Sequence, residues 1–143
     1  MAAIILITGG SRSGKSAYAQ RVAESRPGER IYIATCPVID EEMAERIKKH
    51  QQARKQGWST IEETENLVAA LHSAKGAQTT LVDCLTLWVN NLMYKAESEN
   101  TALTEEEITA RSLEVLDVCK GLPGTVIFVT NETGMGIVPA DPQ

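Results

Sequence analysis

Gly9-Gly10-Ser11-Arg12-Ser13-Gly14-Lys15-Ser16 has the spacing G-x-x-x-x-G-K-S, and each residue type in it answers a need of polyphosphate chemistry. Glycines let the backbone curl until several N–H groups point at one phosphate. The amino terminus of a following helix adds partial positive charge, and Lys15 can reach the outer phosphates. Ser16 offers a hydroxyl oxygen to Mg²⁺. The loop stands where such a loop must stand. Before it comes a short apolar run, Ile4 to Ile7, which reads as a buried strand; after it comes a helical pattern containing Ala17, Ala19, Val22 and Ala23. That setting favours a phosphate site over an ordinary glycine-rich turn.

Asp83 is the second candidate, because it closes the run Thr79-Thr80-Leu81-Val82. An acid there can hold Mg²⁺ through a water, as the acid ending a second strand does in P-loop enzymes, or it can cap the helix that follows. Of the two histidines, His72 follows Leu71 near a helix end, where a surface or dipole role suits it. His50 lies between Arg46 and Arg54 at i, i+4 and i+8, which aligns an imidazole with two guanidiniums on one helical face. Such a row suits polyphosphate. It reads equally as a solvated basic stripe with Lys48, Lys49 and Lys55.

These residues need strands and helices in alternation to position them. Ile31 to Thr35 is a second β-rich run, and Asp40-Glu41-Glu42 supplies an acidic first turn to a helix reaching about Lys55. An extended piece from Trp58 to Ile61, a helix bearing Leu67, Val68 and Leu71, and the strand Thr79 to Val82 follow. Leu85 to Tyr94 reads as helix, and the polar stretch from Glu97 to Glu107 as a solvated loop running into a helix. Thr104 and Glu107 form a T-x-x-E capping box before a helix with Ile108, Leu113, Leu116 and Val118 as candidates for burial, ended by Gly121 to Gly124. Thr125 to Thr130 is the last strand. The pattern predicts a single α/β domain over residues 1–143: a P-loop, RecA-like, mostly parallel sheet with helices on both faces and ligands at the carboxyl ends of the strands.

Composition narrows the partners. The chain has 143 residues, 43% of them hydrophobic and 23% charged, an ordinary balance for one core. A net charge of −5, with one Phe, two Trp and three Tyr, gives little reason to expect a nucleic-acid partner. The apolar start is too short for a membrane span and lacks the basic opening of a signal peptide. Cys36, Cys84 and Cys119 are an odd number without a C-x-x-C pair and read as reduced, mostly buried thiols. Together these point to a cytoplasmic protein acting on small molecules.

The phosphate loop, the Tyr32-Ile33-Ala34-Thr35 strand, the stretch from Asp40 through Arg46-Ile47 and His50 to Trp58, and Thr130-Asn131-Glu132-Thr133-Gly134-Met135-Gly136-Ile137-Val138-Pro139 together resemble the adenosylcobinamide kinase and adenosylcobinamide-phosphate guanylyltransferase family. The likeness spans nearly the whole chain. The H-x-x-x-R-x-x-x-W spacing of His50, Arg54 and Trp58 and the T-N-E-x-G-x-G-I-V-P run are far more specific than the loop. The resemblance implies two reactions at one site. The first is phosphorylation of adenosylcobinamide with ATP or GTP; the second is transfer of GMP from GTP to adenosylcobinamide phosphate. It implies His50 as covalent guanylyl carrier, Mg²⁺ as cofactor held by Ser16 and Asp83, and Thr35, Arg54, Glu62 and Asp83 as parts of the GTP site beside the loop. Glu62 is chemically apt, since a carboxylate can accept from the guanine amide and amino groups. A neutral imidazole is a competent nucleophile, and a phosphoramidate splits one difficult transfer into two easier ones. Homotrimeric assembly is implied as well. Family members usually continue past the G-I-V-P run with a helix and a strand, so a domain short of its carboxyl-terminal elements is expected.

A plain small-molecule P-loop kinase with a structural His50 remains open at this point, as does a RecA-like nucleotide-binding module. Lys15→Ala should abolish both reactions implied by the resemblance, because a methyl group replaces neither the reach nor the charge that the phosphates need. The fold should survive, since the loop lies at the surface. Near-normal GTP turnover in both assays would overturn the shared site.

Overall fold

The structure, a computed structural model, describes residues 2–10, 14–37, 41–53 and 57–131, except for the side chains of residues 46, 47, 50, 51 and 53. Strands and helices alternate as β1 (Ala3–Gly9), α1 (Lys15–Glu24), β2 (Arg30–Ala34), α2 (Glu41–Ala53), β3 (Trp58–Glu62), α3 (Leu67–Ser73), β4 (Thr79–Asp83), α4 (Leu85–Ser98), α5 (Glu105–Lys120) and β5 (Thr125–Asn131). Among the described residues five strands pair in parallel, in the order β1-β5-β4-β2-β3. The chain is therefore of the α/β class, with every strand ending at one edge of the sheet.

β4 and β5 lie inside the sheet and are buried on both faces, which explains why their sequences run apolar without alternation. On one face α1 sets Ala19 and Ala23 against Tyr32, Leu81, Ile127 and Val129. Small side chains at that seam let the helix following the phosphate loop approach the sheet closely. On the other face Leu71, Trp88, Val115 and Cys119 pack with Ile33, Val82, Val126 and Phe128. Complete burial of a side chain such as Ile127 contributes about 1.5–3 kcal/mol against exposure.

Several sequence expectations need correction. Among the described residues β1 is an edge strand rather than a buried one: it pairs there with β5 alone, and Ile4 and Leu6 are 41% and 57% exposed. A short apolar run cannot distinguish one pairing partner from two. On α5, Leu113 and Leu116 are exposed, and Val115 and Cys119 occupy the core face instead. At about 100° per residue, Leu113 points roughly opposite Val115. α4 continues to Ser98, so the connection to α5 is shorter than the expected polar loop. The capping box is present, with the N–H of Glu107 donating to Thr104 Oγ1 at 3.1 Å and the N–H of Thr104 donating to Glu107 Oε1 at 3.2 Å. All three cysteines are free, and Cys84 and Cys119 are buried. Among the described residues no helix is long and apolar enough to cross a membrane.

The turn into β5 depends on a residue without a side chain. Gly124 has φ +74°, and a Cβ there would meet the carbonyl oxygen of Gln78 at 2.0 Å. Thr125 donates to that same carbonyl at 2.9 Å, so neither side can give way cheaply. Gly124→Ala should therefore cost roughly 2–4 kcal/mol, combining left-handed strain with overpacking. A lower denaturant midpoint at unchanged slope is the expected result; an unchanged midpoint would show that the turn relaxes freely.

Candidate functional site

The first part of the site is the start of α1. Gly9 ends β1, Gly10 follows, and Gly14 stands at the N-cap of α1 with φ +83°, a conformation that suits glycine. Gly14 can offer no side-chain cap, and the first turn of α1 contains no acid, so neither the N-cap nor the first turn supplies a carboxylate or capping side chain to the opening N–H groups of the helix. Lys15 Nζ donates to the carbonyl of Gly10 at 3.1 Å, which folds the cation back over the loop. Ser11, Arg12 and Ser13 lie outside the described residues.

Asp83 forms the second part. It ends β4, level with Ala34 on β2 and Val129 on β5, in the middle of the carboxyl edge. Ser16 Oγ donates to its Oδ2 at 3.0 Å, and the Tyr32 hydroxyl donates to the same oxygen at 2.5 Å. Asp83 is not the helix cap: that position belongs to Cys84, whose Sγ accepts from the N–H of Leu87 at 3.5 Å. A hydroxyl has one proton and two lone pairs, so Ser16 can give its proton to Asp83 and still present lone pairs to a cation. This hydroxyl and carboxylate are hard oxygen donors. Mg²⁺ typically takes only one or two carboxylates alongside phosphates and waters, so the pair fits it. No group of three or more His, Cys, Asp and Glu able to hold a metal occurs among the described residues.

Around Asp83 the loops leaving the strands are stitched together by neutral hydrogen bonds. Thr35, fully buried, donates through Oγ1 to the carbonyl of Cys84 at 2.8 Å and accepts from the N–H of Cys84 at 2.8 Å. Asn91 Nδ2 donates to the carbonyls of Thr35 at 2.8 Å and Thr64 at 2.9 Å. Thr86 Oγ1 accepts from the N–H of Asn131 at 2.8 Å and contacts Thr130 Oγ1 at 3.1 Å. Burial pushes the Cys84 thiol above its usual range; the N–H of Leu87 opposes this and the Asp83 charge adds to it. Cys84 is accordingly held as a neutral thiol rather than a nucleophile.

The structure brings Gly9, Gly10, Gly14, Lys15, Ser16, Thr35 and Asp83 to the same edge, with Glu62 exposed at the carboxyl end of β3. His50 lies in α2, but its side chain is outside the described set, and Arg54 lies wholly outside it. Exposed His72 sits in the last turn of α3, as expected. The sequence reading overlooked Tyr32, Thr86 and Asn91. Only Tyr32 left a signal: a phenol in a short apolar strand usually needs a partner once buried. A groove of about 660 Å³ between α3, α4 and α5 is lined by residues that include Trp88, Leu92, Lys95 and Arg111, and by none of the predicted site residues.

The sequence model of the family described as cobinamide kinase / cobinamide phosphate guanyltransferase matches residues 5–143. The bifunctional adenosylcobalamin biosynthesis protein CobP of Pseudomonas aeruginosa is 43% identical over 141 positions, covering 94% of this chain and 74% of that protein. The corresponding CobU protein of Escherichia coli strain K12 is 36% identical over 143 positions, covering 95% and 78%. CobU of Salmonella typhimurium strain LT2 is 37% identical over 145 positions, with 95% and 78% covered.

The Thr35 clamp can be tested by stability. Thr35→Val keeps the shape but leaves the Cys84 N–H without that acceptor, and should cost about 1–3 kcal/mol in chemical denaturation. Wild-type stability in this variant would mean that the two bonds to Cys84 contribute nothing net.

Proposed function

Because the chain belongs to the cobinamide kinase / cobinamide phosphate guanyltransferase family, we propose that it phosphorylates adenosylcobinamide with ATP or GTP and then transfers GMP from GTP to adenosylcobinamide phosphate. The product is adenosylcobinamide-GDP. The observation that carries a nucleotide reading is the Ser16–Asp83 bond: two oxygen donors 67 positions apart meet at 3.0 Å beside the amino end of α1.

In the kinase step, the open N–H groups of α1 and Lys15 bind the outer phosphates, Lys15 exchanging the Gly10 carbonyl for a phosphate oxygen. Ser16 and Asp83 would hold Mg²⁺, which supplies charge neutralisation on the β- and γ-phosphate oxygens. The substrate alcohol attacks the γ-phosphorus, the bond to the β-phosphate oxygen breaks, and the alcohol proton is released as the new phosphate ester ionises. Positioning and electrostatics supply most of the rate in such a step.

In the guanylyl step, an imidazole nitrogen of His50 attacks the α-phosphorus of GTP and pyrophosphate departs. A phosphate oxygen of adenosylcobinamide phosphate then attacks the same phosphorus, and the P–N bond breaks to restore His50. Arg46 and Arg54, four positions either side in sequence, offset the charge that develops. Glu62 receives the guanine edge through its carboxylate.

His50→Asn should separate the reactions, abolishing guanylyl transfer while leaving phosphorylation largely intact, since direct attack on the γ-phosphate needs no covalent carrier. Mass spectrometry of the native protein after incubation with GTP and Mg²⁺ should show one added GMP on His50, labile to acid and stable to alkali. An adduct at another residue, or full guanylyl transfer in the Asn variant, would leave a plain kinase as the better reading.

A further inference from the structure

Asp83 is gripped from two sides, and only one grip belongs to the phosphate loop. Ser16, the second residue of α1, donates to Oδ2, and so does the phenol of Tyr32 on β2. Tyr32 is 8% exposed, and its ring meets Trp58 of β3 edge-on, with centroids 6.2 Å apart and planes at 71°. Trp58 Nε1 in turn donates to Glu24 Oε2 at 2.9 Å, and Glu24 is the last residue of α1. A closed circuit therefore runs from the start of the loop's helix through Asp83, Tyr32 and Trp58 to its end. Arg30, two residues before Tyr32, secures that end by donating to the carbonyls of Ala23, Glu24 and Arg26 at 3.0, 3.2 and 3.0 Å.

An aspartate carboxylate turns easily about its last torsion, where the energy wells are broad. Two donors converging on one oxygen remove that freedom before any ligand arrives. The Ser16 hydroxyl is oriented by the same oxygen, so its lone pairs are aimed only as well as Asp83 is held. Partners behind a metal-binding group contribute to affinity in this way, by orienting the donors ahead of binding.

We propose that Tyr32 is a positioning residue for the divalent cation of the nucleotide site, fixing the Asp83 carboxylate and through it the Ser16 hydroxyl. The inference rests on the nucleotide reading of the phosphate loop above. Tyr32 donates to Asp83 and belongs to β2 rather than to the phosphate loop, so its effect should fall on cation binding and not on the phosphate cradle.

Tyr32→Phe is the suitable variant, because it keeps the ring against Trp58 and removes only the hydroxyl. Mn²⁺ titrated into the full chain saturated with a non-hydrolysable GTP analogue, with free Mn²⁺ followed by electron paramagnetic resonance, reads cation affinity without turnover. Binding of the analogue in EDTA reads the cradle alone. Tyr32→Phe should weaken Mn²⁺ about tenfold while leaving affinity in EDTA within about twofold. Asp83→Asn, run in parallel, should weaken Mn²⁺ at least as much. Weakening in Asp83→Asn with none, or a gain, in Tyr32→Phe would overturn the role of Tyr32 and leave the nucleotide reading standing. No change in Asp83→Asn would overturn the metal role of Asp83 and the inference with it. Equal losses with and without metal in Tyr32→Phe would also overturn it, marking the phenol as a general structural support.

Discussion

The Oδ2 atom of Asp83 accepts one hydrogen bond from α1 and one from β2, and through these two bonds the phosphate loop is referred to the centre of the sheet. The position follows from topology: β4 is an interior strand, so the residue at its end is flanked by strands on both sides and overlooked by the helix that follows the loop. A carboxylate in such a place needs donors to offset the water it loses. Ser16 and Tyr32 supply them, and the charge in return fixes where the start of α1 must lie. The position of α1 and the satisfaction of the carboxylate are thus one arrangement.

Beside that charge, neutral side chains hold much of the carboxyl edge. Thr35, Asn91 and Thr86 join the ends of β2, β3, β4 and β5 through backbone N–H and carbonyl groups. The burial that seals the Thr35–Cys84 corner also keeps the Cys84 thiol protonated beside Asp83. A thiolate there would add a second negative charge beside Asp83. Leaving the edge with one carboxylate at its centre and Lys15 at the loop suits an anion that arrives with a divalent cation.

The start of α1 was legible because its residue types are contiguous: Gly14 where the backbone turns left-handed, Lys15 and Ser16 where the helix begins. The alternation of strands and helices was legible too, along with the capping box at Thr104, because short-range periodicity and side chain to backbone bonds depend only on neighbours in sequence. The spacing of His50, Arg54 and Trp58 carried the family likeness in the same local way. Strand order was not written so plainly, and with it went the edge position of β1 and the exposure of Ile4 and Leu6. The partners of Asp83, Tyr32 and Thr35 were equally hidden: Ser16 lies 67 positions from Asp83, Tyr32 lies 51 from Asp83, and Thr35 lies 49 from Cys84. Sequence by itself determined the α/β class, the loop and the residue types able to do the chemistry. Tertiary structure alone decided which of them meet, because hydrogen bonds between strand ends depend on which strands lie side by side, and no periodicity along one strand encodes its neighbour.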